Sequence, residues 1–417
     1  MKITNLEIQK FRHLKNLTFD FTYQTGAKKG QPLEKICFIG QSATGKTSIL
    51  EYIKSFIDDR DNVKLNIKNS ISILIDNDIL NLNKSMNIPE REHVKSFGRF
   101  YKRKLFYFSS DQLSPNNFKN ISKNLVESNP IDLAFKILTK ESEISKNNKF
   151  KDLSNKRIYE FDFETNKDIW DYILDEISVY RTKSNQKGSD LINFKSTSVT
   201  SMIKEIELWK KNNPNPLENL AIKCLNPILK KLNLEVDLVD VSYPIPLKPI
   251  NSEAAIPSNA LSTGTKQLML NALPLYKLDT ANSIVIIDEP ERSLFPDIQM
   301  ELISFYQNLS PNAQFIVATH SPFIAASFEP DERFILYFDE QGNVKYKNGV
   351  APIGDDPNDI LKNDFGVRLM NDFGLKAFEK YRALKQKMST EKNTNIRSQL
   401  LKEVVALGDE YNFNEKN

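Results

Sequence analysis

The residues Gly40-Gln41-Ser42-Ala43-Thr44-Gly45-Lys46-Thr47 have the types and spacing of a phosphate cradle. Gly40 and Gly45 let the backbone turn so that successive N–H groups converge on phosphate oxygens, and the helix that follows adds the positive end of its dipole. Lys46 brings a point charge to the β- and γ-phosphates of a nucleotide, Thr47 offers a hydroxyl to Mg²⁺, and Ser48 continues the cradle into the helix. Far along the chain, Asp288 and Glu289 place two acids side by side, the first suited to the Mg²⁺ shell and the second to taking a proton from an attacking water. Between them lies Leu261-Ser262-Thr263-Gly264-Thr265-Lys266-Gln267, and beyond them Thr319-His320-Ser321-Pro322. His320 is one of three histidines.

These groups need elements to hold them. Ile36-Cys37-Phe38-Ile39 reads as a buried strand that delivers the phosphate loop, and residues 48–57 place Ile49, Leu50, Ile53, Phe56 and Ile57 on one helix face. Ser283 to Ile287 is an unbroken apolar run ending at Asp288, as expected of a central parallel strand that presents acids at its C-terminal end. Residues 314–319 form a second such run, which ends at His320; residues 104–108 and 334–338 read as further strands. At the N-terminus, residues 6–17 lead into the alternation Leu17, Phe19, Phe21.

The order of phosphate loop, LSTGTKQ, IIDEP and THSP resembles the ATP-binding-cassette (ABC) ATPases, in which two heads close face to face with each ATP between the phosphate loop of one and the signature of the other. The resemblance implies ATP and Mg²⁺ as ligands and an α/β head with a mixed, largely parallel sheet. It implies that Ser262 and the N–H of Gly264, with Gln267 in the same signature, bind the γ-phosphate in trans, and that His320 holds the γ-phosphate or the attacking water in cis. Residues 290–296 look like the loop that crosses the dimer interface, although relatives often carry His where Phe295 stands. The opening Leu6-Glu7-Ile8-Gln9-Lys10-Phe11-Arg12-His13-Leu14-Lys15-Asn16-Leu17 resembles the RecF/SMC branch, in which the arginine matching Arg12 reaches the nucleotide. Without that role Arg12 would be a surface charge, and His13 reads as its neighbour on a turn. Gln112, in the loop after the strand at 104–108, matches by position the glutamine that senses Mg²⁺ and water in this family.

The motif positions imply four segments: residues 1–112 and 250–345 as the two parts of the ATPase core, 113–249 as a mainly helical insertion, and 346–417 as a short helical tail. Helical periodicity is clearest at 125–139, 167–180, 200–211 and 217–232 within the insertion, and at 375–388 and 396–407 in the tail. No sustained heptad run occupies the insertion, so long coiled-coil arms are not expected. With 417 residues, 40% of them hydrophobic, the chain can bury more than one core. Its net charge of +3 does not by itself point to nucleic acid, and its basic clusters are interspersed with acids. Two cysteines make neither a disulfide framework nor a zinc site, no run of apolar residues is long enough to span a membrane, and a reducing cytoplasm is the expected compartment.

Asp355-Asp356-Pro357-Asn358-Asp359-Ile360-Leu361 and Phe365-Gly366-Val367 resemble the tails of small bacterial antiviral ATPases of the Septu type, and the chain as a whole resembles an OLD-like ATPase without a Toprim domain. No Asp-x-Asp pair follows His320, and three histidines cannot assemble an HNH centre, so nucleic-acid cleavage is expected of a separate effector nuclease. The expected assembly is a homodimer, or a higher oligomer of dimers, built on composite ATP sites. Direct DNA binding, as in RecF-like repair ATPases, is the alternative.

Overall fold

The computed structural model describes residues 1–58, 70–75, 78–83, 100, 102–110, 156–161, 163–193, 198–240, 245–256, 260–367, 370–411 and 413. Gln112, the helix expected at 125–139 and most of the first third of the insertion lie outside the described residues. The chain divides into two units, Met1–Pro357 and Asn358–Asn417.

In the first unit the chain opens with β1 (Lys2–Phe11), β2 (Leu14–Asp20) and β3 (Lys35–Gly40), then α1 (Lys46–Ile57), β4 (Ser70–Ile75), β5 (Asp78–Asn83), β6 (Leu105–Phe108) and β7 (Ile158–Phe161). Helices α2 (Phe163–Asn193), α3 (Val199–Asn212), α4 (Pro216–Leu220) and α5 (Asn226–Leu229) follow, then the short ribbon of β8 (Leu234–Val236) and β9 (Leu247–Pro249). The core resumes with α6 (Thr263–Lys277), β10 (Ile284–Asp288), α7 (Pro296–Leu309), β11 (Gln314–Ala318), α8 (Pro322–Ala325), β12 (Arg333–Phe338) and β13 (Val344–Asn348).

The strands make a seven-stranded sheet in the order β13-β12-β3-β11-β10-β6-β7, parallel throughout except for its antiparallel edge β13. An antiparallel four-stranded sheet, β2-β1-β4-β5, packs against it. The residue patterns account for both. Strands β10 and β11 are buried at every position, as parallel strands covered on two faces must be, whereas β2 alternates, burying Leu14, Leu17 and Phe19. Aromatic rings join the sheets: Phe19 meets Phe38 edge-on with centroids 5.5 Å apart and Phe334 at 5.7 Å. Gln314, fully buried, satisfies its amide across the same seam by accepting from Ile3 N–H at 2.6 Å and donating to Ile3 O at 3.0 Å and Leu33 O at 2.9 Å.

The α/β architecture is the one expected, with local differences that have physical reasons. Ile158–Phe161, inside the stretch expected to be mainly helical, is the edge strand of the large sheet, where Phe106 and Tyr159 stack at 4.7 Å. The single helix expected over 217–232 is broken: a π turn at Ala221–Leu225 precedes Pro227, and a 3₁₀ turn at Lys230–Leu232 ends on left-handed Asn233. Proline has no N–H to donate and its ring crowds the carbonyl a turn earlier, so the ladder must widen there.

The second unit carries the two helices expected of the tail, α10 (Asp372–Thr390) and α11 (Thr394–Tyr411), preceded by α9 (Pro357–Asn363) at the unit boundary. Within it Phe413 packs edge-on to Phe378 at 5.3 Å, and Asn371 caps α10 through Gly374 N–H. No helix among the described residues is long and apolar enough to cross a membrane.

Candidate nucleotide site

The site lies at the C-terminal ends of β3, β10 and β11, adjacent strands of the large sheet. Because β3 stops at Gly40 (φ 142°), the chain can pass against β12, where a Cβ would stand 2.2 Å from the Leu336 carbonyl O. Ala43 (φ 67°) and Gly45 (φ 91°) are left-handed, and Thr44 Oγ1 donates to Gln41 O at 2.7 Å, closing the loop on itself. Gln41 and Ser42 are exposed on its outer side. A Cβ at Gly45 would meet Leu14 Cδ2 at 2.7 Å and His13 Nε2 at 2.8 Å, so the β1–β2 turn rests directly on the loop.

Lys46 is 6% exposed, and its Nζ donates to the loop's own carbonyls, Gly40 O at 2.9 Å and Gln41 O at 3.1 Å. Burial pulls its ammonium down to about 8, against the opposing pull of Asp288, Glu289 and Glu291. Thr47 Oγ1 donates to Asp288 Oδ2 at 2.9 Å. Ser110, just past β6, donates to the same oxygen at 3.2 Å. Asp288 is 4% exposed, and burial lifts its carboxyl to about 6, with Glu289 adding to the rise and the Thr47 hydroxyl opposing it. A buried carboxylate ringed by hydroxyls is an all-oxygen donor set whose carboxyl stays raised in spite of the Lys46 charge, and a hard divalent cation suits it. The residues present therefore fit Mg²⁺.

Glu289 is left-handed (φ 50°), and its N–H donates to Ala318 O at 2.9 Å, which turns the chain out of the sheet immediately after Asp288. His320 Nε2 lies 3.9 Å from Glu289 Oε1. Burial and the Lys46 charge hold the imidazole below the usual histidine range, with Glu289 pulling the other way. The pair can thus present a carboxylate acceptor and a neutral imidazole to one small molecule. Arg12 (φ 53°) reaches α1 from the β1–β2 turn, with Nη1 donating to Ser48 Oγ at 3.3 Å and pairing with Glu51.

Arg12, Gly40–Ser48, Asp288, Glu289 and His320 are thus gathered at one sheet edge. Ser262, Gly264 and Gln267 sit elsewhere. Ser262 caps α6 by accepting Thr265 N–H at 3.1 Å, and neither Ser262 nor Gly264 shares a hydrogen bond with the phosphate loop. Their tie is to the loop after Asp288: a Cβ at Gly264 would be 2.2 Å from the Ser293 carbonyl O. Gln267 is 7% exposed, with its Oε1 buried and unpaired. Phe295, at the end of the same loop, is 69% exposed.

Three participants were not evident from sequence. Ser110 contacts Asp288, Arg292 Nη1 donates to Ser110 O at 2.7 Å, and Glu291 accepts the backbone N–H of His320 at 2.8 Å. Ser110 could have been suspected as a hydroxyl at the end of an apolar strand. Nothing local marks Glu291.

A family model described as an AAA ATPase domain matches residues 1–325. Among solved structures, the chain is similar to the Smc head bound to the C-winged helix domain of ScpA, at 12% identity over 84% of this chain and 97% of that one, with a TM-score of 0.42. It is also similar to the Smc head domain with an extended coiled coil bound to the C-terminal domain of ScpA derived from Pyrococcus furiosus, at 13% identity over 83% and 96%, with a TM-score of 0.37.

Proposed function

The chain belongs to the AAA ATPase domain family, it binds and hydrolyses ATP on an ABC-type head, and from this premise we propose that two copies close around ATP to control a separate effector. The observation that carries the reading is the convergence of Lys46, Thr47, Asp288, Glu289 and His320, from three different strand ends, on one edge of the sheet.

Arg12, Lys46 and the N–H groups of Gly40 to Ser48 bind the nucleotide phosphates. Thr47 and Asp288 would hold Mg²⁺, which when bound offsets charge on the β- and γ-oxygens. Glu289 accepts a proton from the water that attacks the γ-phosphorus; the bond to the β-bridging oxygen breaks, and ADP leaves with that electron pair. His320 donates to the γ-phosphoryl oxygens or orients the water. Ser262 and Gly264 of a second copy complete the site by hydroxyl, amide and helix dipole, which accounts for their separation from the phosphate loop of their own chain.

Closure of this kind gives ATP contacts that only the dimer offers, so ATP favours the dimer; a ligand bound by one state alone, at a hundredfold excess over its Kd, stabilises that state by about 2.7 kcal/mol. The effector is read as a nuclease in prokaryotic antiviral defence. That reading rests on the likeness of Asp355–Leu361 and Phe365–Val367 to the tails of small antiviral ATPases.

The test is the native mass of Glu289→Gln with and without Mg-ATP, expressed together with its chromosomal neighbours. An ATP-dependent dimer that carries a nuclease is the expected result. A mass unchanged by ATP sinks composite-site closure. Salt-sensitive, ATP-dependent duplex binding by the isolated chain, with no protein partner, replaces the defence reading with a RecF-like repair role.

A further inference from the structure

Glu291 is the second acid of the loop after β10, and neither metal ligation nor proton transfer uses it. Its carboxylate turns back to the end of β11, where Oε1 accepts His320 N–H at 2.8 Å. Thr319 is fully buried, its N–H donates to Phe38 O at 3.1 Å, and its Oγ1 accepts Ser321 N–H at 2.9 Å. The carboxylate therefore holds the amide of His320 directly, between a buried Thr319 and the Ser321 N–H that Thr319 accepts. Glu291 Oε2 is buried with no hydrogen-bond partner. A fold tolerates such a penalty where the charge is tied to function.

Glu291 is also surrounded by the site. Its negative charge acts on Lys46, and it lies near Glu289, whose repulsion adds to the effect of burial in raising its carboxyl above the usual range. Two residues on, the Ser293 carbonyl abuts Gly264, and Arg292 between them donates to Ser110 O, next to the hydroxyl that binds Asp288. The loop is fixed at the signature on one side and at the Asp288 cluster on the other.

We infer that Glu291 is the positioning residue for His320: its carboxylate fixes the Thr319–Ser321 turn and so sets the imidazole against Glu289, and it lets a displacement of the signature reach His320 through residues 291–293. The inference rests on the reading of His320 given above. Glu291 itself touches neither substrate nor metal.

The test is a double-mutant cycle of steady-state ATP hydrolysis by the full chain, using Glu291→Ala, His320→Ala and the pair, with Glu291→Gln as an isosteric second variant. Glu291→Ala is expected to lower kcat by about tenfold, the scale of a misplaced catalytic group, while ATP affinity changes by less than about threefold. Added to His320→Ala it should cost nothing further. Glu291→Gln, which can still accept the His320 N–H, should retain most of the activity even if the alanine variant folds poorly. Additive losses, a loss confined to KM, or full activity in Glu291→Ala with His320→Ala impaired would overturn the inference alone. Full activity in His320→Ala would overturn the role of His320 and the inference together, with nucleotide binding by Lys46 left standing.

Discussion

Replacing Asp288 with Asn should make the nucleotide-free protein more stable while abolishing its chemistry. Asp288 is 4% exposed, and burial lifts its carboxyl from an ordinary 3.8 to about 6. That displacement corresponds to about 3 kcal/mol against the ionised form. For an acid whose folded value is raised, stability is fullest below the unfolded value of 3.8 and is lost as pH rises through about 6, so the penalty is fully present at neutral pH. Asn carries no charge, but Thr47 and Ser110 then share one neutral acceptor in place of a carboxylate, at a cost of about 1 kcal/mol. The net expectation is a gain of about 2 kcal/mol at pH 7.5 that fades toward pH 4. Urea unfolding without nucleotide or divalent cation, followed by the fluorescence of Trp170 and Trp209, reads the difference at both pH values. A variant less stable than the parent at pH 7.5, or a difference that ignores pH, would refute the burial reasoning.

Lys46→Met should lose ATP binding at least about a hundredfold, as read with a fluorescent nucleotide analogue, because a charge-assisted phosphate contact disappears. Burial holds Lys46 at about 8, so its charged form is penalised below that pH; the variant should melt no lower than the parent at pH 7, with any advantage shrinking as pH rises toward 10. Gly264→Ala should destabilise the fold by about 1–3 kcal/mol, since its Cβ would stand 2.2 Å from a backbone oxygen and must push Ser293 aside. A more stable variant in urea would mean that helix propensity outweighs the contact. Arg12→Ala should raise the KM for ATP while changing stability by less than about 0.5 kcal/mol, because its ion pair with Glu51 is more than half exposed on the Arg12 side. Unchanged hydrolysis at limiting ATP would return Arg12 to the role of a surface charge.

The phosphate loop was legible because its chemistry is local: Gly40, Gly45, Lys46 and Thr47 act through backbone geometry that a short spacing specifies. Asp288 was legible because an unbroken apolar run pointed to a strand buried on both faces. Ser110 was legible only as a hydroxyl at the end of an apolar strand, since its contact with Asp288 spans 178 residues and no local pattern names that partner. Glu291 sits within an ordinary acidic loop, and its significance arises only when β11 lies beside β10 and brings the His320 amide within reach. Strand β7 was obscured by the helical periodicity on its C-terminal side, while Pro227 did carry a legible warning that the helix around it would break. Gly45 shows the same limit. Its left-handed φ was foreseeable from the motif, but the His13 ring against it was not.

In the phosphate loop, Lys46 is held by the Gly40 and Gln41 carbonyls. An incoming anion competes with the protein's own backbone for that ammonium. A singly charged or diffuse anion offers little beyond what two neutral carbonyls already provide, whereas a polyphosphate tail offers charge-assisted bonds strong enough to draw the ammonium away. The loop thus sets a threshold that favours a polyphosphate over the weak anions of its surroundings.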